Sequence, residues 1–170
     1  MKKEWKDTRF SWDEVFMTEA IITAGRSSCK YLHTGAKIVK NKRIIAGGYN
    51  GRAPGFKKSC LEEGCEKKAK KIYGLNSLTC LGSHAETNAL LQHTAESKEG
   101  AIIYTLFSPC YSCAKQIGAA KISEVVYMKK YQSEFPEVSS YFKRAGIKFR
   151  QLKLPKKRLI EVISSVYEQK

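Results

Sequence analysis

The apolar residues of this chain recur with two spacings, one typical of helices and the other of strands. Over residues 11–29 the spacing is helical, and Ser11 followed by Glu14 matches a capping box at the helix start. Residues 35–39 and 43–49 are shorter apolar runs separated by a polar turn, which predicts a β-hairpin. We therefore expect one helix followed by two antiparallel strands.

In the second half of the chain, helical and strand patterns alternate. The helices are predicted over residues 83–95, 110–119, 136–145 and 156–168. The strands are predicted over residues 101–106, 124–128 and 147–151. Because strands that alternate with helices form parallel crossovers, we predict an α/β fold with a mixed sheet between layers of helices. The inner side of the last helix is expected to carry Leu159, Ile160, Val162, Ile163 and Val166.

Residues 52–82 show no sustained period and are rich in glycine, lysine and cysteine. A structureless connection of this length is uncommon inside a compact domain. We therefore expect it to have a function or to be held by a local cross-link, such as a bound metal ion. The 170 residues suffice for one domain, 1–170. We expect its core at about 11–151 and a C-terminal helix at about 156–168.

The chain is strongly basic, because 31 Lys and Arg outnumber 16 Asp and Glu and give a net charge of +15. A phosphate-rich partner, either a nucleotide or a nucleic acid, would explain this charge. A solvated lysine-rich surface explains it slightly better, since the lysines are spread along the chain without a compact arginine cluster.

The apolar runs are far shorter than the roughly 20 residues that a membrane helix needs. The first residues carry charge but no apolar segment behind it, which argues against a secretory signal. We therefore expect a cytoplasmic protein that has no membrane partner and keeps its cysteines reduced.

One pair of short motifs points to metal chemistry. His84-Ala-Glu86 precedes Pro109-Cys110-Tyr-Ser-Cys113, and H-x-E followed by P-C-x-x-C is the signature of zinc deaminases. Cys110 and Cys113 are three residues apart at a predicted helix start, where their thiolates share one face and the helix dipole favours negative charge. With His84 as third ligand, zinc keeps one tetrahedral position open for a water whose pKa falls to about 7.

Glu86 is two residues beyond the predicted ligand His84, which places it near the metal without requiring it to bind. A carboxylate there can accept a proton from water and deliver it to N3 and the leaving amino group of a cytosine. Taken alone, a C-x-x-C is often a structural zinc knuckle, and a glutamate in a first helical turn is usually solvated. Their combination, in this order, predicts catalysis.

With these motifs in place, residues from 11 to about 151 resemble the deoxycytidylate (dCMP) deaminase family of the cytidine deaminase superfamily. The similar blocks are Arg26-Ser-Ser-Cys29, Gly35-Ala36, Gly48-Tyr-Asn-Gly51, His84-Ala-Glu-Thr-Asn-Ala89 and Val125-Val-Tyr127. The resemblance implies a three-layer α/β/α cytidine deaminase-like fold with a five-stranded mixed sheet whose last pair is parallel. It further implies hydrolysis of dCMP to dUMP for thymidylate supply, and a homo-oligomer, either a hexamer or a dimer.

The resemblance also implies substrate contacts. Asn50 and Asn88 would lie near the nucleotide, and Tyr131 would approach it. The backbone N–H of Ala85 and the carbonyl of Ser108 would read the cytosine edge. Thr34 and Lys37 depart from the family pattern, which has small apolar residues around this position, and this leaves the preferred substrate open.

Some family members are regulated by dCTP and dTTP through a site that involves the loop matching Gly48 to Gly51. Such an effector would bring Mg²⁺ with it. The same Asn-Gly sequence suits a tight turn that needs no ligand, so both interpretations stay open.

Four cysteines lie outside the catalytic motif: Cys29, Cys60, Cys65 and Cys80. Four thiols are the number that a closed structural zinc site needs, and three of these lie in the long loop that requires a staple. Some members of the resembled family carry a second zinc at matching places. The alternative is that these cysteines are free, as many cysteines are.

Two other functions remain as alternatives. The same metal and Glu86 could deaminate cytosine in single-stranded nucleic acid, which the positive charge would allow. The chain could instead be a zinc-containing nucleic-acid-binding module without activity, although such a module has no need for Glu86.

Overall fold

The computed structural model of the chain describes residues 9–72 and 80–168. The strands are β1 Gly35–Lys40, β2 Arg43–Tyr49, β3 Gly51–Arg52, β4 Gly82–Ser83, β5 Ile102–Phe107, β6 Glu124–Lys129 and β7 Lys148–Gln151. The helices are α1 Trp12–Ala24, α2 Cys60–Glu63, α3 Glu66–Ala69, α4 Ala85–Leu91, α5 Tyr111–Ala119, α6 Phe135–Arg144 and α7 Lys156–Tyr167.

Five of the strands form one mixed sheet in the order β2-β1-β5-β6-β7. Strand β1 is antiparallel to β2 and to β5, whereas β5, β6 and β7 run parallel. Two residues with positive φ, Asn41 at 49° and Lys42 at 59°, make the hairpin turn between β1 and β2. The predicted mixed sheet with a parallel last pair is confirmed.

Alternating side chains of the central strands bury the two faces of the sheet. Ile103 and Val125 pack into one core with α4, α5 and α6. Their neighbours Tyr104 and Val126 point the other way and pack with α1 and Leu159 of α7. Because successive strand residues point to opposite faces, two buried residues in sequence mark a strand that is covered on both sides. The predicted three layers are confirmed.

The first helix is shorter than the predicted 11–29. Its start is as expected, since the Ser11 N–H donates to the Glu14 carboxylate at 2.7 Å and the Glu14 N–H donates to the Ser11 hydroxyl at 3.3 Å. It ends at Ala24, and the buried Ser27 hydroxyl bonds to Asn50, at 2.7 Å from Oδ1. Because Ser27 bonds to a residue far along the chain, the segment after Ala24 does not continue the helix. The predicted 83–95 helix is likewise limited to α4.

The segment 52–82 is closed at its ends by the two-residue ladder of β3 and β4. Arg52 in β3 donates from its guanidinium to the Lys58 carbonyl at 2.8 Å and to the Glu63 carboxylate at 2.5 Å. These bonds hold α2 against the body of the protein. Helices α2 and α3 have four residues each, too few to show a helical period, so the prediction of an unstructured loop was wrong in this part.

The apolar side of α7 was predicted to face inward, and this is wrong for three of its residues. Ile160, Ile163 and Val166 are 52%, 44% and 60% exposed, whereas Leu159 packs against the core. Amphipathic spacing identifies an apolar face but not what covers it. Among the residues described, no helix is long and apolar enough to cross a membrane.

Candidate metal centre and its cavity

Three predicted ligands converge at the starts of two helices. His84 is the N-cap of α4, Cys110 is the N-cap of α5, and Cys113 lies in the first turn of α5. The His84 Nδ1 atom is 3.5 Å from Cys110 Sγ and 3.4 Å from Cys113 Sγ. Within residues 9–72 and 80–168, these three form the one group of His, Cys, Asp or Glu side chains that could share a metal ion.

The sheet topology produces this convergence. Strand β5 runs directly into Cys110, and α5 follows as the crossover helix to the parallel strand β6. Helix α4 packs beside α5 on the same face of the sheet. A C-x-x-C at the start of a crossover helix and a histidine at the start of its neighbour therefore meet at one edge of the layer.

Gly48 in β2 allows α4 to approach the sheet. A Cβ atom at Gly48 would lie 2.5 Å from the carbonyl oxygen of Ala85 and 2.5 Å from the backbone nitrogen of Ala89. Both contacts are with backbone atoms, which cannot rotate away. The close approach sets the position of the helix that carries His84 and Glu86.

We expect Gly48→Ala to push α4 away from β2 and to lower the free energy of unfolding by about 1–3 kcal/mol, the usual cost of overpacking. The same shift should separate His84 from the two thiols and weaken metal binding. Urea denaturation and zinc titration measure the two effects. Gly55→Ala is the control, because nothing lies within 4 Å of a Cβ atom there. Equal stability of both variants would contradict this account of α4.

The two thiols of the cluster have different acidities. Hydrogen bonds from Cys113 and from His84 lower the pKa of Cys110 to about 4. The bond to Cys110, together with burial, raises the pKa of Cys113. The Cys110 thiolate in turn raises the pKa of His84. A divalent cation would allow both thiols to ionise, so the arrangement fits a metal that takes nitrogen and sulfur ligands, such as zinc.

Glu86 lies on α4 next to the cluster and is 5% exposed. Its Oε2 is 3.9 Å from Cys113 Sγ, and its Oε1 accepts a hydrogen bond of 3.3 Å from the hydroxyl of the fully buried Thr105. Burial raises the pKa of Glu86. A carboxyl that is both buried and close to a metal site is suited to hold and to release a proton.

A cavity of about 450 Å³ opens onto the cluster. His84, Glu86 and Cys110 form part of its wall. Among the substrate contacts predicted from the resemblance, Asn50, Ser108 and Tyr131 also line it. The volume is within the range of small-molecule sites.

Asn88 and Ala85 do not contribute to the cavity wall in the described part of the chain. The Asn88 amide donates to the Tyr49 carbonyl at 2.7 Å, which ties α4 to the end of β2. Ala85 is fully buried beneath Gly48. In the structure, Asn88 holds α4 to β2 through its hydrogen bond, and Ala85 packs where α4 approaches Gly48 of β2.

Asn50 is fixed by the backbone around it. Its Oδ1 accepts from the Thr34 N–H at 2.9 Å, and its amide donates to the Leu32 carbonyl at 2.6 Å. Asn50 thereby joins the β2–β3 loop to the segment that precedes β1, and both stretches form the cavity wall.

Sequence reasoning missed Thr105 and Glu134. The Glu134 carboxylate accepts from the Tyr111 N–H at 2.6 Å, at the first residue of α5, and the Ser108 hydroxyl accepts from the Tyr131 N–H at 2.7 Å. These bonds fasten the segment after β6 to the start of the metal-site helix. Neither residue belongs to a motif, so their roles depend on contacts that no local pattern reveals.

The remaining cysteines line the same cavity. Cys29, Cys60 and Cys65 are half-buried, and Cys80 is exposed. The structure does not bring three of them within 4.8 Å of one another. They therefore share a region of the molecule without forming a closed cluster.

Residues 10–129 match the family model described as the cytidine and deoxycytidylate deaminase zinc-binding region. The chain belongs to this family. The match covers the His84, Cys110 and Cys113 cluster and most of the sheet. The expectation drawn from the two motifs is confirmed at the level of the family.

Several named proteins are similar to this chain in sequence or in structure. ComE operon protein 2 of Bacillus subtilis is 38% identical over 152 residues, covering 86% of this chain and 74% of the relative. The deoxycytidylate deaminase of Schizosaccharomyces pombe is 38% identical over 145 residues, covering 84% of this chain but only 44% of that enzyme. The dCMP deaminase of cyanophage S-TIM5, solved in complex with dCMP and dUMP, is 27% identical with a TM-score of 0.66, covering 82% and 95% of the two chains.

Proposed function

We propose that this protein hydrolyses dCMP to dUMP and ammonia. The observation that carries the proposal is the buried Glu86 beside a His-Cys-Cys cluster, with Glu86, His84 and Cys110 in the wall of a cavity of about 450 Å³. Relatives that bear the name deoxycytidylate deaminase support the choice of substrate. This reaction supplies a precursor of thymidylate, for which the cytoplasm is the expected location.

His84, Cys110 and Cys113 would hold the zinc ion. When bound, the ion acts as a Lewis acid that lowers the pKa of water to about 7. Glu86 accepts a proton from the attacking water and passes it to N3 of the cytosine. Its carboxylate then takes the proton of the new C4 hydroxyl and delivers it to the 4-amino group. A C4–O bond forms, the C4–N bond breaks, and ammonia leaves with uracil as the product base.

Ammonia release from the zinc-loaded protein tests this function. The substrates are dCMP, CMP, dCTP, cytidine and a short single strand that contains cytosine. Preference for dCMP supports the proposal. Activity on the strand alone would favour a nucleic-acid deaminase, and binding of the strand without any ammonia release would favour a non-enzymatic module.

We also propose a second, structural zinc held by Cys29, Cys60, Cys65 and Cys80. All four line one cavity, and their chemistry suits a tetrathiolate site. Such a site requires that α2 and α3 move so that the four thiols come together. A zinc ion bound by these thiols would hold the segment 52–82 in place together with the hydrogen bonds of Arg52.

Replacing Cys65 with Ser should reduce bound zinc from two ions per chain to one and leave the catalytic ion in place. The segment around α2 and α3 should then become more sensitive to proteolysis, because the staple is lost. Metal analysis after gel filtration measures the first effect, and limited digestion measures the second. One zinc ion per wild-type chain would contradict the proposal. Lys57→Ser is the control, since Lys57 is an exposed residue of the same segment and offers no thiol.

We propose that the protein assembles as a homo-oligomer, either a hexamer or a dimer. The exposed apolar side chains of α7 and the 63% exposed Ile22 of α1 support it. Both helices cover the same face of the sheet, and burial of their apolar surface against a second copy would be favourable. Light scattering at micromolar concentration tests the assembly, and a monomer would contradict it.

Regulation by dCTP and dTTP, with Mg²⁺ on the effector, rests on the resemblance of the loop from Gly48 to Gly51. Packing alone also explains why these two positions are glycine. A Cβ atom at Gly51 would lie 2.4 Å from the Ser28 hydroxyl, and one at Gly48 would clash with the backbone of α4. Turnover of dCMP with and without each triphosphate and MgCl₂ tests regulation. Unchanged rates would leave the loop with its packing role alone.

A further inference from the structure

Thr87 and Gln116 form a polar contact beside one of the sulfurs of the metal cluster. The Thr87 hydroxyl lies 3.7 Å from Cys113 Sγ and 2.9 Å from the side-chain oxygen of Gln116. Thr87 is half-buried, and Gln116 is exposed. The hydroxyl is thus within hydrogen-bonding distance of both a sulfur that can bind a metal and a side-chain amide.

The spacing along two helices brings these residues together. Thr87 follows His84 by three residues at the start of α4, and Gln116 follows Cys113 by three residues on α5. Residues three apart share one face of a helix, and α4 and α5 pack side by side. The pair therefore lies directly behind the ligands, one helical turn further along.

The Thr87 hydroxyl has one proton, so its partner depends on the orientation of the Gln116 amide. With the amide oxygen toward Thr87, the hydroxyl donates to Gln116. A half rotation of the amide puts its nitrogen in the same place, and the nitrogen then donates to the Thr87 oxygen. The Thr87 proton is now available to Cys113 Sγ, and a chain of donors runs from the amide through the hydroxyl to the sulfur.

Metal binding creates the need for such a donor. Cys113 Sγ lies 3.4 Å from His84 Nδ1 and 3.9 Å from the Glu86 carboxylate, and a proton on the thiol satisfies both neighbours. A metal ion displaces that proton and occupies the lone pair of the histidine nitrogen. The sulfur is then a thiolate next to a carboxylate, and a hydroxyl proton directed at it offsets their repulsion.

We propose that Thr87 is a positioning residue of the metal site. Its hydroxyl donates to the Cys113 thiolate when a metal is bound, and the Gln116 amide donates to the hydroxyl and holds it in place. Hydrogen bonds from neighbouring side chains orient metal ligands and adjust their charge. The inference rests on the zinc site of the proposed function but not on the choice of substrate.

Thr87→Val tests the bond, because valine has the shape of threonine without the hydroxyl. Zinc binding should weaken by about 10-fold, the lower end of the loss typical of side chains that support metal ligands, and Thr87→Ser should restore it. Competition with a chelator measures the affinity. The variants are made in a Cys65→Ser background, so that the proposed second zinc does not contribute.

The cobalt-loaded protein gives a spectroscopic measurement of the same bond. A thiolate that loses a hydrogen bond gives up its electrons more easily. The sulfur-to-cobalt charge-transfer band should therefore move to longer wavelength in Thr87→Val and return in Thr87→Ser. A change in packing alone would not follow the hydroxyl in this way.

Thr18→Val is the matched control. Thr18 is half-buried on α1, which covers the other face of the sheet, and its hydroxyl donates to the Glu14 carbonyl at 2.7 Å. This variant loses the same hydroxyl and should keep its zinc affinity and its cobalt spectrum.

Gln116→Glu tests the second half of the chain of donors. A carboxylate at this position accepts the Thr87 proton and cannot donate one, so the hydroxyl turns away from the sulfur. Zinc binding should weaken, and the same change should have a smaller effect when Thr87 is already valine. Equal effects in both backgrounds would overturn the coupling between the two residues.

An unchanged zinc affinity and cobalt band in Thr87→Val would overturn the inference and leave the proposed function intact. An equal loss in Thr18→Val, or a loss that Thr87→Ser does not restore, would assign the effect to packing and would also overturn it. A protein that shows the Thr87 effect but releases no ammonia from dCMP would support the inference and contradict the proposed function.

Discussion

Replacing Glu86 with Gln is expected to lower the turnover of dCMP by about 10⁴-fold, the upper end of what general acid–base catalysis contributes. The amide has the same shape and can still accept the Thr105 hydrogen bond, but it cannot take a proton from water. Zinc should stay bound, because Glu86 is not one of the three side chains that converge on a shared point. Ammonia release and metal analysis on the same preparation measure both effects.

Glu137→Gln is the matched control, since Glu137 is an exposed glutamate on α6. Retained turnover in the Glu86 variant would remove this carboxyl from the mechanism. Loss of zinc together with turnover would instead assign Glu86 to the integrity of the metal site. Retained turnover would also require a different source for the proton that the leaving amino group needs.

Replacing Cys113 with Ser should remove the catalytic zinc and with it all measurable turnover. The thiol is 1% exposed, and its sulfur is 3.4 Å from His84 Nδ1, so a hydroxyl there replaces a strong zinc ligand by a weak one. Stability should fall as well, because zinc binds the folded chain. The loss is about 4 kcal/mol when free zinc is 1,000 times its dissociation constant.

Zinc content and thermal unfolding, each with and without added zinc, measure these losses. Ser112→Ala is the control, because Ser112 is the exposed neighbour of Cys113 on the same helix. Full zinc content in the Cys113 variant would show that another residue completes the site. A melting temperature that rises less with zinc in the Cys113 variant than in the wild type would link the catalytic ion to stability, since the proposed second zinc site is intact in the variant.

Much of the fold was predictable because it depends on local patterns. Paired apolar residues such as Val125 and Val126 indicate a strand that is buried on both faces, and the capping box at Ser11 marks a helix start. The ligand set was predictable for the same reason, since C-x-x-C at a helix start places two sulfurs on one face. The helix ends were less predictable, because bonds such as that of Ser27 to Asn50 join residues far apart in sequence.

The missed features all depend on such distant contacts. The exposure of Ile163 on α7 depends on what lies opposite the helix, and its amphipathic spacing is the same whether that face is covered or not. The two four-residue helices within 52–82 are held by Arg52, which no periodic pattern includes. The support of Glu86 by Thr105 requires that α4 lie across β5.

The sequence by itself predicted the family, the order of helices and strands, the three side chains that converge as a possible metal site and the candidate acid–base residue Glu86, because motif spacing and periodicity act over a few residues. The tertiary structure alone decided that Glu86 is buried, that Asn88 holds α4 to β2, and that Thr34 presents an unpartnered hydroxyl to the cavity. Burial and hydrogen-bond partnership depend on segments that the fold brings together. A charge of +15 could therefore be counted from the sequence, but only the fold places Lys67 and Lys68 in the wall of the cavity that opens onto the metal cluster.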